Sequence, residues 1–139
     1  METCPFCRIR EGVLPAHLLY QDEEILAFLD IAPLTPGHTL VIPRRHAASL
    51  TECPPGTVAA LFAAAVRLAR AIQKALGAPG FNLGLNDGRA AGQEVPHVHV
   101  HVVPRYGGEG GGIQRMLKTR GPVPPLAETA AKILAALAS

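Results

Sequence analysis

Residues 96–105 read PHVHVHVVPR, a strict alternation of histidine and valine from 97 to 102. Side chains on a strand point alternately to opposite faces, so a period of two fits a strand and not a helical stripe. His97, His99 and His101 then share one face, each about 6.6 to 6.8 Å from the next. Val98, Val100 and Val102 share the other and require a core. The histidine face is a row of groups that titrate near neutrality, so it has a chemical purpose or a considerable solvation cost.

The rest of the chain supplies partners for such a strand. In YQDEEILAFLDIAP a turn is expected at 22–24, then an apolar strand over 25–29 that stops near Pro33. TPGHTLVIPRRH turns at Pro36 and Gly37 and continues as a short β-branched strand over 38–42, closed by Pro43. These two pieces read as an antiparallel pair. From Pro55, the residues Val58, Leu61, Phe62, Ala65, Leu68, Ala69, Ile72 and Leu76 recur at three and four, which marks an amphipathic helix stopped by Gly77, Pro79 and Gly80. FNLGLN is a strand, DGRAAGQE a polar loop, and the histidine strand completes a hairpin. The glycine- and proline-rich stretch 107–125 reads as partly irregular, with one helical turn near 114–117. A last helix is expected over 125–138, with Leu126, Ile133, Leu134 and Leu137 on or near one face. At 139 residues this is one domain over 1–139, a mostly antiparallel sheet with two main helices, hence α+β.

Composition narrows the function. Thirteen Lys and Arg against eleven Asp and Glu give a net charge of +2, and aromatic residues make up 4%. No basic run suggests a nucleic-acid polymer as partner. No apolar run approaches the roughly 20 residues of a membrane span, and Met1 is not followed by a leader pattern, so a cytoplasmic protein with no membrane partner is expected. Cys4, Cys7 and Cys53 are an odd set, and C-x-x-C suits a metal or redox motif better than a disulfide framework. Cys53 has no visible partner and reads as a buried small residue.

Three chemistries compete for the histidine row: merely hydrogen-bonded rings, a catalytic tri-histidine zinc, and nucleophilic attack on phosphorus. A tri-histidine zinc is weakened because the third ligand lies far from the first and no carboxylate stands within the triad strand. A nucleophilic imidazole needs one bare ring nitrogen and the other held by an acceptor, and the middle histidine is flanked on both sides. NDGRAAGQE adds glycines whose backbone can approach an anion closely.

HVHVHVV also matches the His-φ-His-φ-His-φ-φ signature of the histidine-triad (HIT) family, φ being apolar. The flanking CPFC, FLDIAPLTPGHTLVIPRRH and NDGRAAGQEVPHVHVHVVPR extend the resemblance over most of the chain. The resemblance implies a five-stranded antiparallel sheet joined across a homodimer. It also implies a nucleotidyl hydrolase or transferase that attacks the α-phosphate of a nucleotide conjugate through a covalent nucleotidyl-histidine, with a nucleoside phosphoramidate, an acyl adenylate or a dinucleoside polyphosphate as substrate. His99 would be the nucleophile, His101 would contact the phosphate, His97 would brace the site, and His38 would support the nucleophilic ring. Asp30 would bond ribose hydroxyls, with Phe28 and Ile31 beside the base, Asn86 near the leaving group or ribose, and Gly92, Gln93 and Glu94 in the phosphate-facing loop. Glu94 departs from the branch that carries a hydroxyl there, which leaves a role for its backbone N–H.

Bacterial members also resemble this chain in pairing C-x-x-C with two histidines, which implies a closed structural zinc on Cys4, Cys7, His46 and His97 and no organic cofactor. Two other classes remain open at this point: a nucleotide sensor that binds without turnover, and a zinc-dependent hydrolase of another lineage.

Overall fold

A computed structural model describes residues 3–117 and 121–138. Its sheet has five strands: β1 (Leu18–Gln21), β2 (Ile25–Leu29), β3 (Thr39–Pro43), β4 (Gly80–Gly84) and β5 (Val100–Arg105). They lie in the order β1-β2-β3-β5-β4, every pair antiparallel. Three helices accompany them: α1 (Pro5–Arg10), α2 (Pro55–Leu76) and α3 (Leu126–Ala138). The α+β class follows directly.

The two faces of the sheet are buried by different elements. Ile25, Ala27, Val41, Val98, Val100 and Val102 form one core with Leu61, Ala64, Ala65, Leu68 and Ile72 of α2. The alternate residues Leu26, Phe28, Leu40 and Ile42 point the other way and meet Cys4, Phe6 and Cys7 at α1. The valine half of the HVHVHV pattern thus anchors this segment under α2, and its histidine half stays on the α1 side.

Several boundaries differ from the sequence expectations. The β5 ladder starts at Val100 and not at 97, because the backbone before it bonds elsewhere: His97 N–H donates to Val95 O and Val98 N–H to Ala47 O, both at 2.8 Å. Helix α1 was not expected. Its six residues begin with Pro5 behind Cys4, whose Sγ accepts the Cys7 N–H at 3.4 Å. Strand β1 carries only one half-buried residue, Tyr20, so no alternation marks it in the sequence. The helical turn expected at 114–117 forms at Ile113–Arg115. Helix α3 forms as expected, but its Leu126, Ile133, Leu134 and Leu137 are exposed. Cys53 is half-buried against the α2 core, not fully buried. Finally, α2 at 22 residues is long and apolar enough to cross a membrane by length and composition, contrary to the expectation that no segment is; its apolar face lies on the sheet.

Candidate active site and metal centre

The three histidines of the row have different hydrogen-bond partners, and these partners fix which ring nitrogen carries the proton. His99, nearly buried, places Nδ1 2.7 Å from the carbonyl oxygen of His97. A carbonyl only accepts, so Nδ1 holds the proton and Nε2 of the neutral ring keeps a free lone pair. His97, fully buried, places Nε2 2.8 Å from Pro43 O, so there the proton is on Nε2 and Nδ1 is bare.

For His101 the assignment starts at Leu34, four residues before His38. The Leu34 N–H donates to His38 Nδ1 at 3.1 Å, so His38 carries its proton on Nε2 and donates it to His101 Nδ1 at 2.9 Å. His101 in turn has its N–H at Nε2, as a donor for an anion. Burial lowers the pKa of His38, against the raising effect of Asp30. Burial, with His99 and His38 nearby, lowers that of His101 to about 4. Both rings are therefore neutral at pH 7, as this one-directional chain of donors requires.

Of the ligand-binding residues expected from the sequence, Asp30 stands with His38 and His101, and Asn86 shares a groove with His101. Asp30 is half-buried, with Oδ2 3.7 Å from His38 Nε2 and Oδ1 accepting the Ala32 N–H at 2.9 Å. Phe28 lies in the core under Phe6 (ring centroids 5.5 Å apart), and Ile31 is 89% exposed. Asn86 and His101 line one groove of about 800 Å³ that also runs past Leu34, Asn82 and Arg105. Gly92, at φ +89°, closes the short turn after Arg89–Ala91. Gln93 spends its amide on that loop: Oε1 accepts from Gly88 N–H at 2.8 Å, and Nε2 donates to Ala48 O and Val95 O at 2.9 and 3.0 Å. Glu94 is exposed. Two contributors were missed by sequence reasoning: the Leu34 amide, which no side-chain pattern can show, and Phe6, whose only signal is the aromatic inside CPFC.

Next to the row, Cys4 Sγ, Cys7 Sγ, His46 Nδ1 and His97 Nδ1 lie within 4.8 Å of one another. The sulfur–nitrogen distances are 3.4 Å for Cys4–His97, 3.3 Å for Cys7–His46 and 3.6 Å for Cys7–His97. Zinc bond lengths to thiolate and imidazole give a sulfur–nitrogen edge of about 3.6 Å in a tetrahedron, so the four residues fit such an ion with little movement. The His97 Nε2–H bond to Pro43 O aims its lone pair at the thiols, the usual support for a metal-bound imidazole. Asp30, His38 and His101 also approach within 4.8 Å of one another, but there the Leu34 N–H occupies His38 Nδ1 and leaves the proton on Nε2, where a metal would have to bind. Of these two clusters among the described residues, the Cys-His one is preorganised for a cation.

A row of imidazoles running into β5, with one bare ring nitrogen on His99 and a Cys₂His₂ cluster beside it, on a five-stranded antiparallel sheet, defines the class of small α+β protein to which this chain is compared. A model of the HIT domain matches residues 11–108, and the chain belongs to the HIT family, within a superfamily of hydrolases and nucleotide-binding proteins. Cys4 and Cys7 precede the matched region. The adenylylsulfatase HINT3 of Arabidopsis thaliana is 45% identical over 102 residues, 73% of this chain and 52% of that protein. The crystal structure of a HIT family member from Bacillus subtilis superposes with a TM-score of 0.83 at 39% identity, covering 99% of both chains. A zinc-bound histidine-triad protein from Mycobacterium smegmatis superposes with a TM-score of 0.75 at 45% identity, covering 99% of this chain and 94% of that one.

Proposed function

We propose that the protein is a nucleotidyl hydrolase that cleaves nucleotide conjugates at the α-phosphate through a covalent intermediate on His99. The observation that carries this reading is the 2.7 Å bond from His99 Nδ1–H to His97 O, which leaves Nε2 as the bare nitrogen. In the first step Nε2 attacks phosphorus, a P–N bond forms, and the bond to the leaving group breaks with its electron pair. The ring becomes cationic, and the His97 carbonyl stabilises that charge through the hydrogen bond already in place. His101 Nε2–H, held in its tautomer by His38, donates to a phosphoryl oxygen. Water then attacks phosphorus, gives a proton to solvent and displaces His99, whose Nε2 recovers the P–N electron pair, releasing a nucleoside monophosphate.

The adenylylsulfatase relative supports an AMP conjugate as substrate: a phosphoramidate, an acyl adenylate or a dinucleoside polyphosphate. For the second centre, the zinc-bound relative and the fit of Cys4, Cys7, His46 and His97 support a structural zinc. It would supply a closed cross-link and no open position for chemistry. Strand β4 stands at the edge of the sheet, and an edge strand is a template that supports continuation into a second copy and a homodimer.

The test is to quench the protein in acid during turnover of an α-³²P-labelled adenylate and map the label. Label on His99 supports the hydrolase. Tight binding without label or product supports a nucleotide sensor instead, and turnover abolished by chelation at intact fold supports zinc chemistry.

A further inference from the structure

Phe6 stands between the two centres. Its ring is 8% exposed and lies edge-on to His99 (centroids 5.1 Å apart, 80° between planes) and to His97 (5.9 Å, 73°). On its far side it meets Phe28 at 5.5 Å. The helix that carries it, α1, has six residues, far too few to be stable alone. It is held by the thiols of its cap residue Cys4 and of Cys7, which flank Phe6 in sequence and sit against His97 and His46, and by Arg10, which donates to Arg44 O. The Cys4 and Cys7 thiols, together with the core around Leu26, Phe28, Leu40 and Ile42, keep the Phe6 ring against His99.

That contact bears on a torsion that can spoil the nucleophile. A histidine's second side-chain torsion is broad and roughly two-fold. A half-turn of the His99 ring would exchange Nδ1 for a carbon and withdraw Nε2 from its direction of attack. The His97 carbonyl holds one edge of the ring, and a single hydrogen bond leaves the plane of the ring free to rock about it. Phe6, packed edge-on against the imidazole, closes that freedom.

We propose that Phe6 is a positioning residue for the reaction: clamped by the Cys4–Cys7 cluster, it fixes the orientation of the His99 ring and so couples occupancy of the metal centre to the nucleophile. This rests on the assignment of His99 in the proposed function and adds to it a residue that touches neither substrate nor metal. It also gives the C-x-x-C motif a consequence beyond stability, since removing the cation releases α1 and with it the wall beside His99.

The experiment compares Phe6→Leu, which keeps most of the volume and loses the ring, with the wild-type protein. Metal content is measured and only metal-replete protein is assayed with adenosine phosphoramidate. The expected result is a kcat lower on the order of 100-fold, as for a displaced catalytic group, at unchanged KM. Long-range ¹H–¹⁵N spectra should show His99 as the Nδ1–H tautomer alone in the wild type and as a mixture in Phe6→Leu. Wild-type protein stripped of metal should show the same mixture, a measurement that stands even if Phe6→Leu fails to fold. Wild-type kcat in metal-replete Phe6→Leu, or a single Nδ1–H tautomer in both perturbed samples, overturns the proposal. Failure of the underlying assignment looks different, because the wild-type protein would then carry no label on His99 while the spectra still report on the ring.

Discussion

The carbonyl oxygen of His97 accepts the ring Nδ1–H of His99 at 2.7 Å, while the ring of His97 itself turns away to Cys4 and Cys7. One residue thus joins the two sites, its side chain among the cysteines and its backbone on the His99 ring. The pleat of an extended chain makes this possible: residues 97 and 99 face the same side, yet the intervening carbonyl is within reach of the second ring.

This division of labour predicts that replacing His99 removes chemistry and leaves structure. His99→Ala should lower kcat by at least about three orders of magnitude, since a covalent catalyst is lost. Nucleotide affinity, measured by calorimetry, and metal content should both stay near the wild-type values. Near-native turnover in this variant would move the nucleophile elsewhere.

The donor chain Leu34 N–H to His38 to His101 predicts a different phenotype. His38→Gln removes the group that fixes the His101 tautomer, and the loss of one aimed donor in a transition state costs roughly 100-fold in kcat. Steady-state kinetics should show that loss with little change in KM. His17→Gln, at an exposed ring, is the control expected to be silent.

Much of this arrangement was legible in the residues themselves. The alternation at 97–102 placed the valines in the core and the histidines on one face, because a strand's period of two leaves no other choice. The three-and-four spacing from Val58 to Leu76 gave α2 for the same kind of reason. What sequence could not show depends on backbone groups and on segments without a pattern. The Leu34 amide and the His97 carbonyl are present in any chain and acquire a role only when folding brings a ring to them. Helix α1 is too short for periodicity, and the exposed side chains of β1 offer no alternation. The burial of Phe28 against Phe6 is likewise a product of the fold that no local pattern announces.

The buried imidazoles predict an acid-labile fold. His101 is held to about 4 and His38 below its ordinary value, both mainly by burial, and His97 is likewise held to about 4. The unfolded rings take up protons near the ordinary value of about 6.5, so the unfolded state binds more protons between 6.5 and 4. Stability is therefore fully present above pH 6.5 and is lost as pH falls toward 4. Urea midpoints measured at constant ionic strength should fall across that window, and His101→Asn should flatten the slope. A midpoint that rises on acidification would contradict the neutral assignment of these rings.

Loss of a thiol at the second centre should release the metal. Serine is a poor ligand in a Cys₂His₂ set, so Cys4→Ser is expected to abolish a stoichiometric metal by elemental analysis. If the site is occupied in excess of a hundred times its Kd, unfolding free energy falls by about 3 kcal/mol or more. Protection of the α1 amides from hydrogen exchange should be lost before that of β3 and β5, because α1 depends on the cluster and the strands do not. Native protein that purifies without metal and keeps α1 protected would refute the coupling.

The turn before His38 offers a test of packing near the site. Gly37 sits at φ +89°, and a Cβ there would lie 2.9 Å from Leu76 Cδ1, 3.2 Å from Ile72 Cγ2 and 3.3 Å from Pro104 Cγ. Gly37→Ala therefore meets two costs, the left-handed backbone of about 1–2 kcal/mol and the displacement of three side chains that join α2 to β5. Gly12, at φ +78° with nothing within 4 Å of its Cβ position, meets only the first. Chemical denaturation should show Gly12→Ala destabilised by the backbone cost alone and Gly37→Ala by roughly 1 kcal/mol more, in the range of an overpacked core. Since residue 38 follows directly, the Gly37→Ala variant should also shift the His38–His101 hydrogen bond and lower kcat, whereas Gly12→Ala should leave kcat unchanged. Equal destabilisation of the two variants would mean that the α2 side chains yield without cost, and that the turn is held by its backbone alone.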